Sequence, residues 1–209
     1  MKTPIYVDVD TQRDFCAPDG ALFVRSAPAV MPAVRRLLAH AADRGHLVVG
    51  SVDTHDFTAW EFDENGGPFP PHCVKGTAGW LKMEGTLPER AVFVPNVAGQ
   101  ATAAPVPAEA HAVLFEKEVY SLFANPAAEP TLAALLAARG LAQEDVELVV
   151  FGVATDYCVS AAALGLRERG YPVAVVTDAV AAVDEGAGQA ALQEMAAAGC
   201  RLVTSRSLV

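Results

Sequence analysis

The stretch that most narrows the possible folds is Val146–Phe151 joined to the segment Gly152-Val153-Ala154-Thr155-Asp156-Tyr157-Cys158-Val159. The first six residues are short and almost wholly apolar, with Leu148, Val149 and Val150 in succession. A strand with one wet face alternates, whereas a nearly unbroken apolar run is buried on both faces, as in a parallel sheet. Past Cys158 the pattern becomes Ala161, Ala162, Ala163, Leu164, Leu166 and Arg167, which reads as a helix. Cys158 therefore falls in the first turn of a helix, just beyond a strand's carboxyl end. Unpaired N–H groups and the positive end of the helix dipole favour a thiolate there, so a lowered thiol pKa is expected. The same N–H groups suit a developing oxyanion. Position alone also fits an inert buried thiol, because cysteine is among the most buried residue types.

The same alternation recurs along the chain. Ile5 to Asp10 reads as the first strand, and Pro28 to Arg44 as a helix with Val30, Val34, Leu37, Leu38 and Ala41 on one face, closed by Gly45. Strands follow at Leu47–Val52, Ala91–Val94, Ala112–Phe115, Val173–Val176 and Arg201–Val203, with helices at Pro126–Arg139 and Gln189–Ala198. Asp56–Pro71 and Asn96–Ala110 are rich in Gly, Pro and small or polar residues and read as loops. The expectation is an α/β fold: one doubly wound, mainly parallel sheet of about six strands with helices on both faces, residues 1–209 forming a single domain.

Composition excludes several classes of function. No apolar run reaches the ~18 residues of a membrane span. A formal net charge of −10 argues against nucleic acid and anionic membranes as partners. Cys16, Cys73, Cys158 and Cys200 are far apart with no CxxC, so free thiols in a reducing cytoplasm are expected. The amino terminus leads straight into a strand pattern, without the layout of a signal peptide.

Candidate chemistry gathers at strand ends, where α/β folds place it. Asp10 closes the first strand; taken alone it reads as a cap or turn aspartate rather than a catalytic one. Asp8, two residues earlier, is expected to share its face, and two nearby buried carboxylates disfavour each other's ionisation. Asp8 is either hydrogen-bonded to a neighbouring segment or part of a polar network that serves Asp10. Asp53 and His55 end the second strand, and an Asp and a His two apart suit a divalent cation with mixed oxygen and nitrogen ligands. His72 is placed to close that site. Trp60, Phe62 and Phe69 in the following loop are packing residues or the walls of a slot for a planar ring. Lys117, between Glu116 and Glu118, is a surface salt-bridge residue or a catalytic cation.

In order and context, these residues resemble the isochorismatase-like cysteine hydrolases, and within them the nicotinamidase branch. The resemblance rests on Gly152–Val159, Asp10-Thr11-Gln12-Arg13-Asp14-Phe15, Asp53-Thr54-His55, Phe69-Pro70-Pro71-His72-Cys73-Val74-Lys75-Gly76-Thr77 and Lys117-Glu118-Val119-Tyr120-Ser121-Leu122-Phe123. It implies a catalytic triad of Asp10, Lys117 and Cys158, with a thioester formed on Cys158. It implies a cis peptide at Val153–Ala154 and an oxyanion hole from the N–H groups of Ala154 and Cys158. It implies one divalent metal ion, with zinc expected and iron or manganese as alternatives, held by Asp53, His55 and His72 and receiving a pyridine nitrogen. A further ligand is sought among Glu61, Asp63 and Glu64. Phe15, Phe69 and Tyr120 become substrate-binding residues, the substrate a small amide, and the assembly a homo-oligomer. Phe69 stands where the family often has tryptophan, Leu122-Phe123-Ala124-Asn125 replaces Gly-Phe-Glu-Gly, and Asp8 replaces an apolar residue. The alternatives are a related cysteine amidase for another small amide and a catalytically dead binding domain. Isochorismatase itself is disfavoured, because that branch lacks the Asp-x-His pair and the nucleophilic cysteine.

Overall fold

The strand-to-helix unit at Val146–Val159 sits at the centre of the molecule. In a computed structural model describing residues 2–209, β5 (Val146–Val153) pairs in parallel with β1 (Thr3–Val9) over seven residue pairs. Every residue of β5 except Glu147 is buried. Burying a Val, Leu, Ile or Phe side chain fully contributes about 1.5–3 kcal/mol, so this continuous apolar strand settles in the middle of the sheet.

The other strands are β2 (Val48–Asp53), β3 (Ala91–Val94), β4 (Ala112–Lys117), β6 (Val173–Ala181) and β7 (Arg201–Val203). All pair in parallel, in the order β3-β4-β2-β1-β5-β6-β7. The sheet thus has seven strands rather than about six; the third and seventh are short edge strands of four and three residues. The one-turn helix α1 (Arg13–Cys16) and the long helix α2 (Ala27–Arg44) cover one face, where Val34 and Leu37 meet Tyr6 and Phe151. Helices α3 (Ala128–Ala138), α4 (Ser160–Glu168) and α5 (Glu185–Ala197) cover the other, over Val7, Val113 and Val150. Among the described residues no helix is long and apolar enough to cross a membrane.

After β1 the chain passes to β2, then to the edge strand β3, inserts β4 between them, and crosses to the far side of β1 as β5. That reversal opens a crevice at the carboxyl ends of β1 and β5, the usual ligand position in open α/β sheets. Gly152 makes the close approach possible. It lies beside Val9 with φ 121°, and a Cβ there would overlap the Val9 carbonyl. β6 runs five residues beyond the apolar run, and α5 starts at Glu185, four residues before the apolar pattern does. The Asp184 side chain caps α5 by accepting from the Ala187 N–H.

Candidate active site

Four strand ends deliver side chains to the crevice. β1 ends at Val9, and Asp10 follows with φ 47°, in the left-handed region. Its N–H donates to the Ser51 carbonyl (3.1 Å) and the Ser51 hydroxyl donates to its Oδ1 (2.7 Å). Lys117, the last residue of β4, is 1% exposed in its side chain. Its Nζ lies 2.9 Å from Asp10 Oδ2, 3.1 Å from Asp53 Oδ1 and 3.5 Å from Cys158 Sγ. Asp53 ends β2 directly beside Lys117 in register. Cys158 lies in a π-helical turn, Thr155–Val159, that runs into α4. Asp10, Lys117 and Cys158 therefore meet at one point, from three strand ends. The Val153–Ala154 bond is cis.

Electrostatics at this point differ from the expectation for the thiol. Burial pushes the Cys158 thiol well above its ordinary pKa, Lys117 pulls it back, and Asp10 and Asp53 add to the rise. Desolvation and the two carboxylates outweigh Lys117, and the balance favours the protonated thiol at rest. The Asp10 carboxylate is placed to be its base: its Oδ2 lies 2.9 Å from Lys117 Nζ, and the carboxylate is within hydrogen-bond reach of the Cys158 thiol. Burial disfavours the Lys117 charge, yet Asp10 and then Asp53 raise its pKa well above the usual lysine range. It stays a cation.

The second cluster is Asp53, His55, Glu61 and His72, all buried, with one donor atom from each lying within 4.8 Å of every other. Asp53 Oδ2 is 3.1 Å from His55 Nε2 and 3.4 Å from His72 Nε2; Glu61 Oε1 is 3.0 and 3.2 Å from the same nitrogens. Ligands about 2.1 Å from a shared cation stand roughly 3.0–3.4 Å apart at octahedral to tetrahedral angles, so the spacing fits one ion. His72 Nδ1 donates to the Pro70 carbonyl (2.8 Å), which turns Nε2 toward the cluster. The N₂O₂ donor set and the edge lengths fit a divalent metal. Two loop segments build the site. His55 pairs in strand fashion with Cys73–Lys75, its N–H donating to the Cys73 carbonyl and its carbonyl accepting from Lys75, which sets His72 beside it. Phe62 and Phe69 pair across a turn and carry Glu61 inward. Asp63 and Glu64 point outward and are exposed, so of the three acids only Glu61 joins the cluster.

These groups polarise one another. Burial alone would disfavour the imidazolium forms, but hydrogen bonds to Asp53 and Glu61 outweigh it and raise His55 to about 9 and His72 to about 10. Burial opposes the Glu61 carboxylate too, and the two histidines overcome it, bringing Glu61 down to about 2. Asp53 is likewise held far below the usual carboxylate range, by Lys117 and the histidines against burial.

A cavity of about 320 Å³ joins both clusters and is lined by Asp53, Glu61 and His72 as well as Ala154 and Cys158. Phe15 and Phe69 line it and both pack against His72, with ring centroids 5.7 and 5.9 Å from the imidazole. Tyr120 lines the mouth, half exposed, edge-on to Tyr157 at 5.2 Å. Trp60 is 65% exposed and Phe62 fully buried, and neither lines the cavity.

Asp8 does not share the position of Asp10. The left-handed turn swings the Asp10 carboxylate over the sheet edge toward Lys117, while Asp8 stays within β1 and pairs with Lys82 at 2.6 Å. Sequence reasoning missed Lys82, which is 74 residues away in a loop without periodicity. It also missed Gln12. The Gln12 side-chain amide accepts from the Asp53 N–H (2.7 Å) and donates to the Asp53 carbonyl (2.8 Å), acting as a strand neighbour for the end of β2. Its polar type in a short loop gave no signal.

A family model, the isochorismatase domain, matches residues 5–207. The chain is 31% identical to the nicotinamidase of Escherichia coli (strain K12), over 94% of this chain and 92% of that one. It is 33% identical to the nicotinamidase/pyrazinamidase of Mycobacterium tuberculosis, over 94% of this chain and 96% of the relative. Among solved structures, the pyrazinamidase of Pyrococcus horikoshii in complex with zinc superposes with a TM-score of 0.73 at 30% identity, covering 97% of this chain and 99% of that one. PnC1 from L. infantum in complex with nicotinate gives 0.76 at 30% identity, covering 99% and 94%. With a matching family model across nearly its whole length and the parallel sheet and crevice described above, the chain belongs to the isochorismatase domain family.

Proposed function

We propose that this chain is a metal-dependent nicotinamidase, a cysteine amidase that converts nicotinamide and water to nicotinate and ammonia. One observation carries the reading. Lys117 touches Asp10 and Cys158 on one side and Asp53 of the four-ligand cluster on the other, and both clusters open into one cavity. The nicotinamidases and the zinc and nicotinate complexes among its relatives support the same assignment.

In this reading Asp10 Oδ2 takes the Cys158 proton while Lys117 keeps the resulting charges paired. The sulfur attacks the amide carbon, and the Ala154 and Cys158 N–H groups hold the oxyanion. The C–N bond breaks as Asp10 returns the proton to the leaving nitrogen, giving ammonia and a thioester. Asp10 then takes a proton from the attacking water, the C–S bond breaks, and that proton goes back to sulfur. Asp53, His55, Glu61 and His72 would hold a divalent cation, with zinc the proposed ion, which supplies a Lewis-acid anchor for the ring nitrogen. Phe15 and Phe69 flank the ring, and Tyr120 closes the mouth. Residues 1–209 act as one domain, in a homo-oligomer, in the cytoplasm.

Ammonia release is the test. Nicotinamide, pyrazinamide and a panel of small aliphatic amides are assayed with and without a chelator. Turnover of the pyridine amide that chelation removes is expected. Turnover confined to aliphatic amides, or none at all, rejects the assignment.

A further inference from the structure

The buried pair Asp8–Lys82 has no part in that chemistry, yet it lies directly beneath it. Lys82 Nζ is 2.6 Å from Asp8 Oδ2, with the side chains 2% and 0% exposed. Asp8 occupies mid-sheet, in register with Gly50 on one side and Phe151 on the other. Replacing a buried ion pair by apolar side chains is often neutral or stabilising, so stability alone is a weak reason for this one.

Its contacts lead to the site. Asp8 Oδ1 accepts from the Thr11 hydroxyl (2.9 Å), which also lies 3.1 Å from the Thr86 hydroxyl. Lys82 is carried by a short antiparallel pairing in which Arg13 donates to the Leu81 carbonyl and Met83 to the Thr11 carbonyl. One carboxylate therefore holds both the residue after Asp10 and the segment paired with it. Asp10 lies between Asp8 and Thr11 in a left-handed conformation that a non-glycine residue keeps only when its surroundings impose it. Ser51 fixes one side of the turn, and Asp8 with Thr11 fixes the other. Gln12 then spans from the Trp80 carbonyl (3.0 Å) to both peptide groups of Asp53.

We propose that Asp8 and Lys82 are positioning residues: their buried ion pair, through Thr11, fixes the turn at Asp10 and so aims the Asp10 carboxylate at Cys158. The inference rests on the reading of Asp10 as proton carrier. If the pair only stabilised the fold, its removal would lower the melting temperature and leave turnover per folded molecule unchanged.

Two variants separate these roles. Asp8→Val/Lys82→Met removes both charges together. Thr11→Val removes one hydroxyl at nearly constant shape. Misplacing a reacting group by about 1 Å costs on the order of 100-fold in rate, so kcat should fall roughly 10–100-fold in the double variant. KM should change by less than about threefold and metal content should stay full, because substrate and metal contacts are elsewhere. Thr11→Val should lower kcat in the same direction, and Thr11→Ser should restore it. A kcat within about twofold of wild type in either folded variant overturns the proposal, whatever the melting temperature. If the double variant does not fold, Thr11→Val decides. Alkylation of Cys158 by iodoacetamide, located by peptide mapping, is the second readout. If the unaltered protein hydrolyses no amide, the functional reading fails. Slower alkylation in Thr11→Val than in wild type would then still support the positioning role, and equal rates would refute it.

Discussion

Replacing Lys117 by methionine gives the sharpest test of how the site is held together. Methionine nearly matches the length of the lysine stem, so packing changes little, while the charge disappears from a position 1% exposed. Asp10 and Asp53 lose their shared counterion at 2.9 and 3.1 Å. In metal-loaded protein Asp53 keeps a cation, which leaves Asp10 as the uncompensated buried carboxylate. Removing one partner of a buried ion pair costs about 3–5 kcal/mol. At about 2–4 °C per kcal/mol for a chain of this size, the melting temperature should fall by roughly 6–20 °C. A second substitution, Asp10→Asn, removes the orphaned charge and should recover most of that loss. It should not recover activity, because neither the base nor the countercharge is present. Thermal unfolding of the single and double variants, with ammonia release measured beside it, reads both quantities. A Lys117→Met protein that melts within about 2 °C of wild type, or an Asp10→Asn change that recovers nothing, would refute the charge argument.

The other expected outcomes are simpler. Cys158→Ala should lose about a thousandfold or more in turnover with its melting temperature nearly unchanged; substantial residual ammonia release would remove Cys158 as nucleophile. Glu61→Gln keeps the shape and removes one charge, and should weaken metal affinity by at least about 10–100-fold in chelator competition, whereas Glu64→Gln should not. In metal-free protein His55 and His72 titrate near 9 and 10, so both carry protons at pH 7 that a metal must displace. Affinity should therefore rise from pH 6 to pH 8, with proton release in calorimetry; a pH-independent affinity contradicts the site. The same raised values stabilise metal-free protein fully below about pH 6.5, and that contribution is lost as pH rises through about 9 and 10.

Much of the fold and site is legible in the sequence because parallel strands announce themselves as unbroken apolar runs, and α/β chemistry sits where those runs stop. Asp10, Asp53 and Lys117 each lie at or just past the end of such a run and Cys158 in the turn that follows one, so the run boundaries place them at the crevice, while their roles come from the family resemblance. The features that stay hidden depend on loop conformation. Choosing Glu61 over Asp63 and Glu64 requires the Phe62–Phe69 pairing, which turns one acid inward and leaves two in water. The shared face expected of Asp8 and Asp10 fails because a single left-handed residue breaks the two-residue period. Lys82 and Gln12 lie in segments without periodicity, and only the closed loop shows what they hold. The thiol is raised rather than lowered because position in a helix says nothing about depth of burial, and desolvation is the largest cause of its shift.

Charge explains why the two clusters share Asp53. Asp10, Asp53 and Glu61 bring three buried negative charges to one crevice, and Lys117 brings one positive charge. The remaining two are matched, in metal-free protein, by the protons on His55 and His72. A divalent cation that displaces both protons leaves the total unchanged. Buried charge is tolerated only when paired, so the site stays near neutrality in both states and needs no refolding to exchange them. A monovalent ion would leave a net negative charge and a trivalent ion a net positive one, each in low dielectric. The acids thus select a doubly charged ion before coordination geometry acts. They also leave Asp10 and Lys117 paired with each other beside Cys158 whether or not a divalent ion is bound.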